Sequence, residues 1–483
     1  MHHMNKIDTI VIGGGLAGLE CAAILAKEGL GVLVLEQGES TGGYFQPFKR
    51  RGVVIDSSVH YIGSLDKGQF MERFFSYLDL MDRVGFVRMN PDSFDVVYID
   101  GKSYPIAMEH GNFVDKLSDF FPEERVGLEA YADSIKRTAM LSVDSVRMGN
   151  GFSAESLQSV TKSVEVSISA FIKSERLKSI LTGNSIIYCG ESAVTPYYVH
   201  AMANNSYIES SWRVRGGAYK ITEALSEIIM SYGGEIRCGA NVKRIITENG
   251  CVSGVELESG ERFYSKRVIS TIHPSLTVGM LDSESGIKET YRRRVNQLHN
   301  SCSMFSLYLI LKPNHMKYIN SNLHIQGERP LMVAFQAPEG KREFAEVVTL
   351  LTPMTIEEVG KWSQTTRGNR GDDYLEFKKR YSDILIERVE EVLPGFRESV
   401  DFSCSATPLT YRDYVKSPDG SIYGIMKDYK KPLSTFLPVK TKVGNLYLAG
   451  QSVNLHGVMG VTFTSLLTCS EIIGTGFINK MGL

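Results

Sequence analysis

The chain has 483 residues, of which 43% are hydrophobic and 22% are charged, and its formal net charge is -2. This composition is typical of a globular protein with a large core, and the near-neutral charge with only short basic runs argues against a nucleic-acid partner. No apolar stretch reaches the ~20 residues that a membrane-spanning helix needs.

Seven cysteines are scattered along the chain, and none form a CxxC pair. Their spacing therefore predicts neither a zinc site nor a thioredoxin-type motif, and no metal site is expected. Scattered thiols fit a reducing compartment, and residues 1–30 lack the order of regions that marks a signal peptide. We expect a cytoplasmic protein and leave peripheral contact with a membrane open.

The amino-terminal segment carries a glycine turn between a strand and a helix. An apolar run at residues 9–12 leads to Gly13, Gly15 and Gly18, and a helical pattern covers about residues 16–28. Gly13 allows a tight turn, Gly15 lets a pyrophosphate approach the backbone, and Gly18 lets the helix lie close to the strand. The free N–H groups at the helix start favour a phosphate.

A second strand pattern at residues 32–35 ends in Glu36, which can accept hydrogen bonds from ribose hydroxyls. Six residues later, Gly42 and Gly43 keep the backbone close to a bound dinucleotide. The order of strand, turn, helix, strand and acid predicts a dinucleotide-binding unit, which a GxGxxG spacing alone would not.

The middle of the chain alternates between helical and strand patterns. Asp100-Gly101 predicts a hairpin between strands at 95–99 and 103–106, and Asn249-Gly250 predicts a second hairpin. The predicted helices cover residues 70–80, 113–121, 128–141, 167–181, 220–232 and 374–393. The other predicted strands cover residues 233–237, 242–245, 252–257, 267–270, 305–311, 331–336 and 346–352.

The carboxyl-terminal part supplies a second glycine turn. A strand pattern at residues 446–449 ends at Gly450 and Gln451, and a turn at 456–460 feeds an apolar helix that extends to about residue 477. Such a turn is suited to an anionic or electron-rich group. A flavoenzyme, unlike a simple NAD-binding protein, would use this return to close over its flavin.

With these motifs the chain resembles the superfamily of phytoene desaturases, carotenoid isomerases and retinol saturases, which are FAD-dependent oxidoreductases. The segment at 59–63, Val-His-Tyr-Ile-Gly, resembles the retinol saturase branch in particular. The stretches that carry the resemblance are residues 8–43, 215–242, 407–424 and 446–460.

The resemblance implies an α/β fold in which a Rossmann-like, GR2-type FAD-binding domain with a parallel sheet carries an inserted mixed α+β substrate domain. The FAD-binding domain would comprise residues 5–65, 212–275 and 440–480, and the substrate domain with its helical cap residues 66–211 and 276–439. The residues implied to hold FAD are Gly13, Gly15, Gly18, Glu36, Gly42, Gly43, Val242, Gly450, Gln451, Met459, Gly460, Val461 and Thr462. Many relatives carry an acid where Gln451 stands.

The implied activity is oxidoreduction at C=C or C–C bonds of an apolar polyene or isoprenoid-like substrate: saturation, desaturation or redox-assisted isomerisation. The electron donor or acceptor stays unknown. Two alternatives are a flavin amine oxidase that acts on a C–N bond, which would need an aromatic cage, and a non-catalytic FAD-binding protein.

His60, Tyr411 and Arg412 are the candidate catalytic side chains. His60 could pass a proton to carbon, or be a packed core histidine; Tyr411 and Arg412 could line a substrate channel, or lie in a surface loop. We interpret His456 as structural and Asp56 as a turn or capping acid rather than a base. The aromatic residues of the middle segment fit a core better than a tunnel; they are Phe152, Phe171, Tyr188, Tyr197 and Tyr198.

Overall fold

A computed structural model of the chain describes residues 7–147 and 158–483. Phe152 lies outside the described residues. The strands, in chain order, are β1 (Thr9–Ile12), β2 (Val32–Leu35), β3 (Phe48–Arg50), β4 (Val53–Ile55), β5 (Ile62–Gly63), β6 (Phe86–Arg88), β7 (Asp95–Ile99), β8 (Lys102–Ile106), β9 (Ser211–Val214), β10 (Glu235–Arg237), β11 (Val242–Glu248), β12 (Cys251–Leu257), β13 (Arg262–Tyr264), β14 (Val268–Ser270), β15 (Ser303–Leu311), β16 (Asn322–Ile325), β17 (Leu331–Phe335), β18 (Val347–Met354), β19 (Val400–Ala406) and β20 (Leu446–Leu448).

Helices cover much of the remaining chain. In chain order they are α1 (Leu16–Lys27), α2 (Phe70–Tyr77), α3 (Leu80–Arg83), α4 (His110–Ser118), α5 (Arg125–Arg147), α6 (Val164–Ser169), α7 (Glu175–Leu181), α8 (Tyr197–Glu209), α9 (Tyr219–Ser231), α10 (Pro274–Gly279), α11 (Glu289–Asn296), α12 (Asp372–Glu390), α13 (Phe396–Ser399), α14 (Pro408–Val415), α15 (Pro432–Thr435), α16 (Gly457–Ile473) and α17 (Gly476–Lys480). Among the described residues, none of them combines the length and apolar character needed to cross a bilayer.

A five-stranded sheet carries the glycine-rich segments, with strand order β10-β2-β1-β14-β20. Each neighbouring pair in it is parallel. Strands β1 and β2 are buried along their whole length, as expected for a parallel sheet that is covered on both faces. The predicted order of strand, glycine turn, helix and second strand is confirmed, and so is the α/β class of the fold.

This sheet brings the two glycine turns to one edge. Strands β1 and β20 both pair in parallel with β14, so the turns that follow them lie at the same carboxyl edge. Behind the turns, the Thr462 hydroxyl of α16 donates a 2.8 Å hydrogen bond to Oε1 of Glu20 on α1. The two helices are therefore joined by a bond between fully buried side chains.

A seven-stranded sheet has the order β19-β15-β18-β17-β16-β7-β8, and only its β16–β7 pair is parallel. The predicted hairpin between β7 and β8 is confirmed, with φ of 48° at Asp100 and 73° at Gly101. Strand β15 is buried at every residue, and apolar side chains of β15, β17 and β18 pack against α12 in one core. This sheet joins residues before 110 with residues after 300.

Smaller sheets complete the framework. Strands β11, β12 and β13 are antiparallel, and the predicted hairpin at Asn249 and Gly250 is confirmed, with φ of 51° and 75°. Apolar residues of these strands share a core with β1, β2 and β14. Strand β9 lies between β5 and β6, which places Arg213 next to the segment that carries His60. The division into two discontinuous domains stays a prediction.

The prediction of one helix over residues 167–181 is wrong. The chain forms α6 and α7 instead. The Ser174 hydroxyl caps the start of α7 by accepting from Leu177 N–H at 3.3 Å, and the Glu124 carboxylate accepts from Lys173 N–H at 2.9 Å, so this N–H is not part of a continuous helix. Glu124 is distant in sequence, so the helical periodicity did not indicate this break.

Two other predicted helices have different limits. The pattern at 70–80 splits into α2 and α3 because Asp79 adopts a left-handed conformation with φ of 60°. The last helix begins at Gly457 and ends at Ile473, where Gly474 has φ of 75° and ends the helix. The predicted helix extended too far because the sequence beyond residue 473 is also apolar.

Candidate cofactor-binding and active site

One cavity of about 730 Å³ begins at the carboxyl edge of the parallel sheet. We call the part at the glycine turns its nucleotide end. The predicted cofactor-binding residues that line the cavity are Gly13, Gly15, Glu36, Gly42, Gly43, Val242, Gly450, Gln451 and Val461. The structure thus brings residues from both ends of the sequence to one site.

The first glycine turn combines open space at Gly15 with close packing at Gly18. At Gly15 the nearest atom to an added Cβ would be Gly43 Cα at 4.0 Å, so the space in front of this residue is open. At Gly18, in contrast, an added Cβ would overlap the carbonyl oxygen of Gly13. Gly18 therefore permits helix packing, whereas Gly15 leaves room for a ligand at the start of α1.

Glu36 is held in place at the end of β2. Its carboxylate accepts hydrogen bonds from Gly14 N–H and Gly38 N–H, both at 2.7 Å. Each carboxylate oxygen has a further lone pair, so Glu36 can still accept a ribose hydroxyl. Val242 lies nearby at the start of β11 and lines the same end of the cavity.

The second glycine turn lies against the first. An added Cβ at Gly450, whose φ is 103°, would be 3.4 Å from both Ala17 Cβ and Thr271 O. In the helix that follows, Gly457, Val458 and Val461 line the cavity. The two turns form one backbone-lined cradle.

Three predicted cofactor residues of α16 lie outside the lining of this cavity. The Thr462 side chain points to Glu20 and is fully buried. Gly460 packs on the preceding loop, where an added Cβ would be 2.5 Å from Leu455 Cβ. Met459 packs at the edge of the apolar core shared with α1. Only one face of a helix can meet a ligand, and here that face carries Val458 and Val461.

Away from the glycine turns, the same cavity becomes apolar and aromatic. We call this part the apolar end. Its lining comes from the seven-stranded sheet and from helices and loops beside it: Ile186, Ile187, Tyr207, Met304, Met332, Leu351, Tyr411, Ile422 and Tyr423. Acidic side chains line the cavity only at the nucleotide end, at Glu36 and Glu258 among the described residues.

His60 and Tyr411 line the cavity, and Arg412 does not. Burial, with the positive charge of Arg213, lowers the pKa of His60 to about 3, so the imidazole is neutral at pH 7. The hydroxyls of Tyr411 and Ser306 are 2.5 Å apart, and burial raises the pKa of Tyr411. Arg412 instead donates to Asp413 Oδ1 at 3.1 Å and Ser363 O at 3.0 Å, which orients it away from the cavity.

The other candidates occupy packed positions. The rings of His456 and Tyr423 lie 4.9 Å apart, and burial lowers the pKa of His456 to about 3. Asp56 Oδ2 accepts from Ala218 N–H at 2.7 Å, next to the start of α9, as a capping acid would. Tyr188, Tyr197 and Tyr198 are buried in apolar cores, and Phe171 packs on one; none of the four lines the cavity.

Sequence reasoning missed two aromatic residues that line the cavity and two features that lie beside it. Tyr207 and Tyr423 have no motif that distinguishes them from core aromatics. Cys189 and Cys302, which are 113 positions apart in the sequence, form a disulfide with Cα atoms 6.0 Å apart. Both pack against the hydrophobic core that contains Met304 and Met332. The buried Lys427 ammonium donates to the backbone carbonyls of Thr435 and Ser452, and burial lowers its pKa to about 7. Each depends on long-range packing that local spacing does not report.

A parallel sheet with a two-turn cradle defines the class of a flavin-dependent oxidoreductase, and the comparisons agree. The chain belongs to the flavin containing amine oxidoreductase family, whose model matches residues 16–473. FAD is therefore its cofactor and the protein is an FAD-dependent oxidoreductase. The open face at Gly15 and the anchored Glu36 fit the phosphate and ribose of such a dinucleotide.

Relatives with established names match over nearly the whole chain. Human all-trans-retinol 13,14-reductase is 25% identical over 534 residues, which covers 97% of this chain and 86% of that protein. The chloroplastic prolycopene isomerase of Daucus carota is 26% identical over 506 residues, covering 97% and 80%. The resemblance to the retinol saturase and carotenoid isomerase branch is thus confirmed.

A solved oxidoreductase structure from Methanosarcina mazei aligns with a TM-score of 0.66 at 21% identity, covering 95% of this chain and 99% of that one. At this identity the likeness supports the fold.

Proposed function

We propose that the protein saturates or isomerises a C=C bond of an apolar polyene or isoprenoid-like substrate. The observation that carries this proposal is the continuity of one cavity from the glycine turns to the apolar end. A substrate without charge or hydrogen-bonding groups gains free energy from such a lining, at roughly 25 cal/mol per Å² of apolar surface buried. The names of the reductase and isomerase relatives agree with this substrate class.

When bound, FAD supplies the hydride chemistry, and the chain supplies position and a proton. Met332, Leu351 and Ile422 would hold the polyene and exclude water. His60, in the cavity wall, and the Tyr411 hydroxyl would be the proton-bearing groups beside the reacting carbons. Saturation also needs an external reductant; its identity and a peripheral membrane contact stay predictions.

An amine oxidase is the second candidate, because the family description names amine substrates and because Tyr44 and Tyr411, whose ring centroids are 6.2 Å apart, both line the cavity. A protonated amine, however, would need a compensating charge when it leaves water. The described acidic residues that line the cavity lie at the nucleotide end, so the apolar end favours a neutral substrate.

Anaerobic flavin spectroscopy separates these candidates. The FAD-loaded protein is photoreduced and mixed with all-trans-retinol or prolycopene, and in a parallel experiment the oxidised protein is mixed with putrescine or cyclohexylamine. We expect the polyenes to reoxidise the flavin or to be isomerised, and the amines to leave the oxidised flavin unchanged. Reduction of the flavin by amines, without any polyene reaction, would contradict the proposal.

A further inference from the structure

A second, much smaller cavity lies beside His60. Its volume is about 10 Å³, and the polar residues Asp56, His60, Arg213, Gln336 and Thr349 contribute to its lining. Val59 and His60 line both this small cavity and the main one. A space of this size holds about one water molecule, provided that two to four polar groups can bind it.

Three buried polar atoms of these lining residues lack a hydrogen-bond partner of acceptable geometry among the described residues. They are Asp56 Oδ1, His60 Nε2 and Arg213 Nε. Leaving such atoms unpaired costs about 1–3 kcal/mol each. The same side chains are otherwise anchored, because Asp56 Oδ2 accepts from Ala218 N–H at 2.7 Å and the Arg213 guanidinium donates to Asn322 Oδ1 at 2.9 Å. The unpaired atoms therefore belong to fixed groups that line one small space.

We propose that one water in the small cavity links Asp56 to His60, and that Asp56 is the positioning acid that resupplies the proton His60 gives to the substrate. This inference rests on the proposed function. In the step, the His60 ring loses a proton from Nδ1 to a substrate carbon and gains one at Nε2 from the water. The water takes a proton from Asp56, which becomes a carboxylate and is later reprotonated from solvent. No group of this relay changes oxidation state, and the hydride for the other carbon of the C=C bond would come from the reduced FAD.

The charges around the two residues fit this exchange. Because a neutral imidazole dominates at pH 7, His60 can release a proton readily only when it receives another. Burial raises the pKa of Asp56 to about 7, although Ala218 N–H and the nearby Ser57 N–H lower it, so part of the population holds a proton at neutral pH. The fully buried Arg213 disfavours a persistent imidazolium.

Other titratable groups that face this pair titrate far from neutral pH or are paired. Tyr219 interacts electrostatically with Asp56, and its pKa is raised above the usual value by burial. The Tyr308 hydroxyl donates to Ser57 O at 2.9 Å, and burial raises its pKa as well. Lys220 donates to Glu339 Oε1 at 2.5 Å. Among these groups Asp56 alone has a pKa near 7, and Lys427, whose pKa burial also lowers to about 7, does not line the small cavity.

The first test uses the oxidised FAD-loaded protein and needs no substrate. Nitrogen NMR of labelled histidine, with His60→Ala to assign the signals, is compared between the parent protein and Asp56→Asn, which keeps an acceptor for Ala218 N–H. We expect the His60 Nε2 signal to follow a titration near pH 7 in the parent and to lose it in the variant. Identical His60 signals in both proteins would overturn the water link.

The second test measures single-turnover reoxidation of the photoreduced protein by all-trans-retinol between pH 5.5 and 8.5. The parent rate should fall as pH rises through about 7, because the proton donor is lost. Asp56→Asn should be at least ~10-fold slower at pH 6 and independent of pH in this range, with unchanged FAD content. Glu20→Gln, which removes another buried acid far from the small cavity, is the matched control and should keep the parent profile.

Ala337→Val provides a variant that leaves both titrating groups intact. Ala337 lines the small cavity, so the added methyl groups should displace the water and slow the reaction as Asp56→Asn does. A parent-like rate in Ala337→Val together with a slow Asp56→Asn would overturn the water link. A linked NMR titration in a protein that no polyene reoxidises would reject the proposed function while retaining the link between Asp56 and His60.

Discussion

The two ends of the main cavity are built in different ways. The nucleotide end consists of backbone at two glycine turns, Gly13–Gly15 and Gly450, with one anchored acid at Glu36. The apolar end consists of side chains from segments that are far apart in sequence, such as Ile187, Met332 and Tyr423. A cofactor shared by a large family can be held by backbone geometry, whereas substrate choice depends on side chains that differ from one member to another.

The change with the largest expected effect breaks the nucleotide end. Gly15→Val fills the open space in front of the first turn, and we expect at least a ~100-fold loss of FAD affinity, so that the protein purifies colourless. Its Tm should then no longer rise when FAD is added. Bound flavin per chain is the measurement, and Gly111→Val, where an added Cβ meets nothing within 4 Å, is the matched control. Full flavin content in Gly15→Val would show that the phosphate lies elsewhere.

The next change removes the His60 side chain from the wall of the main cavity. His60→Ala should lower the single-turnover rate about 100-fold, because a proton-bearing group is lost from the cavity wall. FAD content should stay at the parent level, since the glycine turns are untouched. An unchanged rate would show that His60 is a packed core histidine and not a proton donor.

A smaller effect is expected at the apolar end. Ile187→Asp places a carboxylate among apolar neighbours, and we expect affinity for a polyene to fall roughly 10-fold or more because the charge must be solvated. Ile187→Leu, which conserves volume, should bind as the parent does. Polyene titrations followed by flavin spectroscopy make the comparison, and equal loss of FAD and polyene in Ile187→Asp would contradict the separation of the two ends.

The smallest effect on activity is expected for Glu20→Gln, a change on α1 behind the two glycine turns. Its measurable effect is on the pH dependence of stability. Burial raises the pKa of this carboxyl to about 8, so its contribution to stability is complete below the unfolded value of 4.5 and is lost as pH rises through about 8. Glu20→Gln can still accept the Thr462 hydrogen bond and carries no titration.

The unfolding free energy is therefore measured from pH 5 to 9 for both proteins. As pH rises, the value for Glu20→Gln should increase relative to that of the parent by up to about 1.4 kcal/mol per pH unit. Glu123→Gln, at an exposed glutamate, serves as the control and should not alter the pH dependence. A constant difference between Glu20→Gln and the parent at every pH would show that Glu20 is ionised in the folded protein.

Features that neighbouring residues encode could be predicted from the sequence, and features that depend on distant residues could not. The order of β1, α1 and β2 and both Asp-Gly and Asn-Gly hairpins are encoded locally, so spacing and turn residues indicated them. The break between α6 and α7 depends on Glu124, a distant residue. Tyr411 and Arg412 are neighbours, and the sequence indicated both equally as catalytic candidates. Tyr411 lines the cavity whereas Arg412 bonds to Asp413, because successive residues of a helix point to different faces.

The account depends most on one FAD being held by both glycine turns, with the substrate at the other end of the same cavity. A crystal structure of the FAD-loaded protein soaked with all-trans-retinol tests this directly. We predict one FAD in contact with both Gly15 and Gly450, and the polyene in contact with Met332 and Tyr423. An FAD that touches only the first turn, or a polyene bound outside this cavity, would contradict the account.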